Sequence, residues 1–193
     1  MMSSMKQFYM DTNVFISRLK PDDPYYLEAK AVVKGLEHDE LRAETSVLAL
    51  LEVASVSGRL YEAKRGAKSK EKEREIFVVR ILRRLAGLRT KFINIAGDTP
   101  VSIRRINTSL PSVFNEAILL SLQTSLKTLD LIHLAAARHG RRMNNELGAF
   151  VTGDKAFLSK KKELSEIIGM PVLSPKEYVE ILGLRIHSDN HKS

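Results

Sequence analysis

Four acidic residues stand in apolar settings where a carboxylate calls for a reason. Asp11 follows directly on Phe8-Tyr9-Met10 in FYMDTNVF, Glu52 lies within VLALLEVASV, Asp130 within TLDLIHLAAA, and Asp154 within AFVTGDKAF. Removing even an uncharged polar group from water without a partner costs roughly 2–7 kcal/mol. Each acid has an ordinary reading. Asp11 and Asp154 fit a turn or helix cap, Asp130 complements a helix dipole, and Glu52 pairs with one of the many basic residues. Taken together they ask for more. Four carboxylates gathered without counter-charge repel one another and raise one another's pKa values, and a divalent cation removes that conflict. An all-oxygen donor set suits Mg²⁺ or Mn²⁺, and such an ion serves phosphodiester hydrolysis.

Whether the four acids meet depends on the elements that carry them. QFYM (7–10) is a short strand, and residues 25–38 have helical periodicity after the turn KPDDP (20–24). LRAET (41–45) is extended. Ser46 reads as the cap of a helix over VLALLEVASVSG that Gly58 closes, and a polar basic arm then leads into an amphipathic helix, IFVVRILRRLAGL (76–88). KFINIAG (91–97) alternates like a strand. Helical segments are expected at about 100–108 and 112–123, and from a Thr128 cap to about Arg138. AFVT (149–152) and PVLS (171–174) are apolar strands, PKEYVEILGL is the last helix, and residues 186–193 form a frayed tail. Strands separated by helices predict an α/β fold with a parallel sheet covered on both faces. In such sheets ligands bind beyond the carboxyl ends of the strands. Asp11 and Asp154 both follow strands and belong at that edge, with Glu52 and Asp130 on helices packed beside it.

Charge points to the partner. The chain of 193 residues carries a net charge of +8, and the window from Arg59 to Lys91 holds twelve basic and four acidic residues, an excess equal to that of the whole chain. Its i,i+4 neighbours, Glu71 with Glu75 and Lys70 with Arg74, set like charges together rather than opposite ones. Such a segment favours a polyanion, nucleic acid first, with Lys64, Arg65, Lys68, Lys70, Lys72 and Arg74 as the candidate contacts. With no cysteine, disulfides, thiolate zinc sites and a cysteine nucleophile are excluded. The start MMSSMKQFYM lacks the apolar core of a secretory signal, and no run approaches the roughly 20 apolar residues of a membrane span. The expectation is a cytoplasmic protein of one domain (1–185) with a basic helical elaboration at about 59–90.

The order and context of the acids resemble the PIN-domain ribonucleases, closest to the VapC-like toxins. The shared features are D-T-N after the first strand, S-V-L-x-L-x-E on a helix, L-D-x-x-H-L-A on a later helix, and V-T-x-D-x-x-F after a strand, together spanning about residues 7–175. The resemblance implies a Rossmann-like three-layer α/β/α sandwich and an Mg²⁺- or Mn²⁺-dependent endoribonuclease. Asp11, Glu52, Asp130 and Asp154 would be its catalytic and metal-binding acids, with Asn13 and Thr152 as polar helpers. It further implies a homodimer and a possible separate antitoxin protein. Two features depart from the pattern. The interval between Glu52 and Asp130 is longer than in compact toxins, and position 156 is Ala where some members carry another acid, which favours one firmly held ion. His133, one turn after Asp130, reads as a packing histidine with a hydrogen-bonded ring. The competing expectation is a non-catalytic RNA-binding or assembly module on the same fold. A phosphohydrolase with Asp11 as covalent nucleophile would want a second Asp two residues on, where this chain has Asn13.

Overall fold

A computed structural model describes residues 4–65, 71–93, 98–103 and 106–186. Five strands, β1 (Gln7–Met10), β2 (Arg42–Ser46), β3 (Thr90–Ile93), β6 (Phe150–Val151) and β7 (Val172–Leu173), form one parallel sheet in the order β3-β2-β1-β6-β7. The central pairings are Phe8 with Ala43, and Met10 with Val151. Alternation along β1 and β6 builds two cores. Phe8, Met10, Ala149 and Val151 face one, shared with α1 (Thr12–Ser17), α2 (Tyr26–Glu37), α4 (Glu71–Ala86) and α9 (Pro175–Leu182). Tyr9 and Phe150 face the other, shared with α5 (Ser112–Ser121), α6 (Thr128–Met143) and α8 (Lys161–Ile168). Each face is therefore covered by helices, and the architecture is a three-layer, Rossmann-like α/β/α sandwich.

Local sequence accounts for the boundaries. Ser174 and Glu177 form a reciprocal capping box with Pro175 in the first turn of α9, and Gly183 ends that helix at φ +62°. In α6, Leu131, Leu134 and Ala135 lie on one face at helical spacing and are buried. Its far end is pinned to the sheet by Asn144, whose Nδ2 donates to the buried Glu44 at 2.9 Å.

Four expectations need correction. Residues 100–103 and 106–108 are not helical, and 104–105 lie outside the described residues. β4 (Asp98–Ile103) and β5 (Ile106–Pro111) make an antiparallel hairpin apart from the main sheet, pairing Val101 with Thr108 and Ile103 with Ile106. The period of two in Val101/Ile103 and Ile106/Thr108/Leu110, with its β-branched residues, decides for strand. Gly58 does not close a helix, because α3 runs from Leu48 to Arg65. The buried face Val53, Ser57, Tyr61 continues straight through it. The helix after the basic arm starts at Glu71, five residues before Ile76, with Glu71 and Glu73 placed favourably in its first turn. Finally, α6 is capped at Lys127, not Thr128. The tail from 187 onward and residues 94–97 of the expected strand lie outside the described residues.

Candidate active site

The strand order reverses direction between β1 and β6, and Asp11 and Thr152 are the residues that leave those two strands at their carboxyl ends. This switch point is where open α/β sheets form a crevice, because the crossovers on either side depart to opposite faces. Asp11 is 4% exposed and lies in extended backbone ahead of α1, yet its side chain caps nothing in that helix. Its Oδ2 accepts instead from Asn13 Nδ2 and from Thr152 Oγ1, each at 2.6 Å. Asn13 also donates to Thr152 Oγ1 at 3.1 Å and accepts from Gly153 N at 2.7 Å. The two expected helpers thus tie the ends of β1 and β6 into one network. Asp154 completes it, its N–H donating to Thr152 Oγ1 at 3.0 Å. The Asp154 carboxylate does cap, accepting at Oδ1 from Ala156 N at 2.6 Å.

A second chain of bonds holds Glu52 against this network. Glu52 Oε2 accepts from Thr12 Oγ1 at 2.5 Å and lies 2.8 Å from His133 Nε2. The other ring nitrogen, Nδ1, is 2.9 Å from the Tyr9 hydroxyl, whose oxygen accepts from Ser46 N at 3.1 Å. With Ser46 occupying that oxygen, the Tyr9 proton is directed at Nδ1, which leaves the imidazole proton on Nε2, toward Glu52. His133 is buried, as expected of a packing residue, but it packs by joining Tyr9 in the core to Glu52 at the site. The basic partner expected for Glu52 is thus present, and it is His133. The signal for His133 was its spacing, one helical turn from Asp130, and nothing local marked Tyr9 or Thr12.

Electrostatics records how close the acids are. Burial raises the Asp11 pKa, with the Glu52 charge adding to it, although His133 and the Thr152 hydroxyl pull the other way. Burial also raises Asp130, followed by the charge of Asp154, against a stabilising bond from the Lys127 N–H. For Glu52, burial is outweighed by the bonds from His133 and Thr12, and its pKa falls. For His133, burial opposes protonation, but Glu52, Asp11 and Asp130 together raise its pKa. The fold therefore ties Asp11 and Asp154 together through Thr152 and holds Glu52 beside them on Thr12 and His133, while Asp130 stands in the first turn of α6, one turn before His133. Among the described residues, no three Asp, Glu or His side chains are arranged as a ready-made set of metal ligands. The donor chemistry nonetheless fits Mg²⁺ or Mn²⁺, which takes one or two carboxylates and keeps several waters. The hydrogen bonds on Glu52 and Asp154 fall on one oxygen of each, so among the described residues the other is uncommitted.

Of the basic candidates, Lys64 and Arg65 are on α3 and Lys72 and Arg74 on α4. Lys64 and Arg65 end α3, twelve or more residues from Glu52, a distance of about 18 Å along a helix. Lys72 is exposed in the first turn of α4, whereas Arg74 is spent on an ion pair with Glu62 at 2.5 Å. Tyr61 adds a hydroxyl bond to Glu73 at 2.8 Å, so opposite charges meet across the hairpin, not along one helix. Lys68 and Lys70 lie outside the described residues. No helix among the described residues is long and apolar enough to cross a membrane. No protein-family model, no curated protein and no solved structure matches the chain.

Proposed function

We propose that the chain is a metal-dependent endoribonuclease that hydrolyses RNA phosphodiester bonds at the crevice between β1 and β6. The observation that carries this reading is the pair of networks at the topological switch point, one joining Asp11 to Asp154 through Thr152 and the other holding Glu52 on Thr12 and His133, with Asp130 one turn before His133 on α6. There Asn13 and Thr152 fix Asp11, and His133 and Thr12 fix Glu52. The four acids would hold Mg²⁺ or Mn²⁺. When bound, the ion supplies positive charge beside the scissile phosphate and acidifies water there. The protein's own part is pre-organisation. Two donors on one Asp11 oxygen hold that carboxylate in a single orientation, and the His133 bond keeps Glu52 ionised despite its partial burial.

The resemblance to VapC-like toxins extends the proposal to the toxin of a toxin–antitoxin pair, cytoplasmic and working as a homodimer. Exposed apolar residues for such contacts occur on α4, at Ile76 and Val79, and on α5, at Phe114, Ile118 and Leu119. The test is incubation of the purified protein with cellular RNAs in Mg²⁺, Mn²⁺ and EDTA. Cleavage with either ion and none in EDTA is expected. Salt-sensitive binding of RNA with no cleavage under any divalent ion would indicate a binding module instead.

A further inference from the structure

The crevice continues outward past the acids into an open cleft of about 360 Å³, walled by Asn13 and Asp154 on its inner side and by Pro24, Tyr25, Gly153 and Lys155 beyond. Tyr25 is held in place by its main chain. Its N–H donates to Asp23 Oδ1 at 2.9 Å, and the next N–H, that of Tyr26, donates to the Asp23 carbonyl at 3.0 Å. The side chain then leans on Gly153. A Cβ at that position would come within 3.1 Å of Tyr25 Cδ2 and 3.4 Å of Asn13 Oδ1. Glycine leaves room for this close approach, which sets the edge of an aromatic ring against the residue between Thr152 and Asp154. Tyr25 remains partly exposed, and among the described residues nothing hydrogen bonds its hydroxyl. Lys155, exposed beside it, makes no ion pair among the described residues.

An aromatic ring and an unspent cation beside a phosphate-cleaving centre match the way single-stranded nucleic acid is held, by stacking a base and tracking the backbone charge. Duplex RNA does not offer an unstacked base. We propose that Tyr25, seated on Gly153, stacks a nucleobase next to the scissile phosphate of single-stranded RNA, with Lys155 beside that nucleotide's phosphate. The inference rests on the endoribonuclease reading and names the form of its substrate.

The test uses a short single-stranded oligoribonucleotide carrying 2-aminopurine, whose fluorescence is quenched on stacking, bound in EDTA so that no cleavage intervenes. Wild type should quench it. Tyr25→Ala should lose the quench and bind roughly five- to 150-fold more weakly, the range for one stacked base. Tyr25→Phe should restore both, because stacking does not use the hydroxyl. If Tyr25→Ala unfolds, Tyr25→Leu keeps apolar bulk without a π-face and should still lose the quench. Wild-type quenching and affinity in Tyr25→Ala or Tyr25→Leu would overturn the subsite, even in a protein that cleaves RNA. A Tyr25-dependent quench in a protein that cleaves no RNA with any divalent ion would uphold the subsite and overturn the nuclease reading.

Discussion

Thr152 serves three partners with one hydroxyl, donating to Asp11 while accepting from Asn13 and from the Asp154 N–H. Thr152→Val keeps the shape and removes all three bonds, leaving the Asp154 N–H without its acceptor and the buried Asp11 with one donor fewer. The expected cost is about 1–3 kcal/mol, read from urea denaturation, and Thr152→Ser should recover most of it. The His133–Glu52 bond makes a pH prediction for the metal-free protein. The raised His133 pKa contributes stability that is complete below its ordinary value of 6.5 and is lost as pH rises through the folded value. The lowered Glu52 pKa contributes stability present above 4.5 and lost as pH falls through the folded value. The pair is therefore at full strength between about pH 4.5 and 6.5. Wild-type stability should decline above that window, and the decline should flatten in His133→Gln. An equal decline in the variant would assign the pH dependence elsewhere. Asp11 was legible in the sequence through the three other acids in matching contexts, since alone it fits a turn or a helix cap. Tyr9 and Thr12 were not, since their importance lies in partners 124 and 40 residues away.

At the scale of elements, Gly58 is a helix breaker that does not break its helix. It sits inside α3, and a Cβ there would meet nothing within 4 Å. Gly58→Ala should therefore stabilise the protein by roughly 0.5–1 kcal/mol through helix propensity and a less flexible unfolded chain, measured as a raised denaturation midpoint. The 100–108 segment shows the complementary limit. A helix is expected there, whereas the period of two in Val101/Ile103 and Ile106/Thr108/Leu110 belongs to the paired strands β4 and β5. The α3–α4 hairpin changes what the basic window means. Arg74 is neutralised by Glu62, and both side chains are about half exposed, so Arg74→Ala should cost at most about 1 kcal/mol. Lys64 and Arg65 are exposed at the end of α3. The double variant Lys64→Glu/Arg65→Glu should weaken RNA binding across sequences. It should also lower the slope of log affinity against log salt by about one for each phosphate that is no longer neutralised. An unchanged slope would remove the hairpin end from the RNA-binding surface.

The whole molecule explains why the four acids matter together. The strands of the main sheet and most of the helices could be placed from local patterns, the β4–β5 hairpin excepted, and the acids could be assigned to the carboxyl edge of a parallel sheet. The order β3-β2-β1-β6-β7 could not, because it depends on which strands pair across long crossovers. That order puts β1 next to β6 and makes Asp11 and Thr152 neighbours across 141 residues of chain. Three of the ordinary readings survive, since Asp154 caps α7 (Lys155–Leu158), Asp130 stands in the first turn of α6 where it complements the helix dipole, and Glu52 is paired with the basic His133. Asp11 departs from its reading, since its side chain caps nothing in α1, and both it and Glu52 are built into networks at the switch point. The most direct test of the account is the rate at which Asp11→Asn cleaves RNA with Mn²⁺ or Mg²⁺, compared with wild type in the same folded state. Loss of cleavage with retained folding is the predicted result. Cleavage by the variant at the wild-type rate would contradict the assignment of this crevice as the active site.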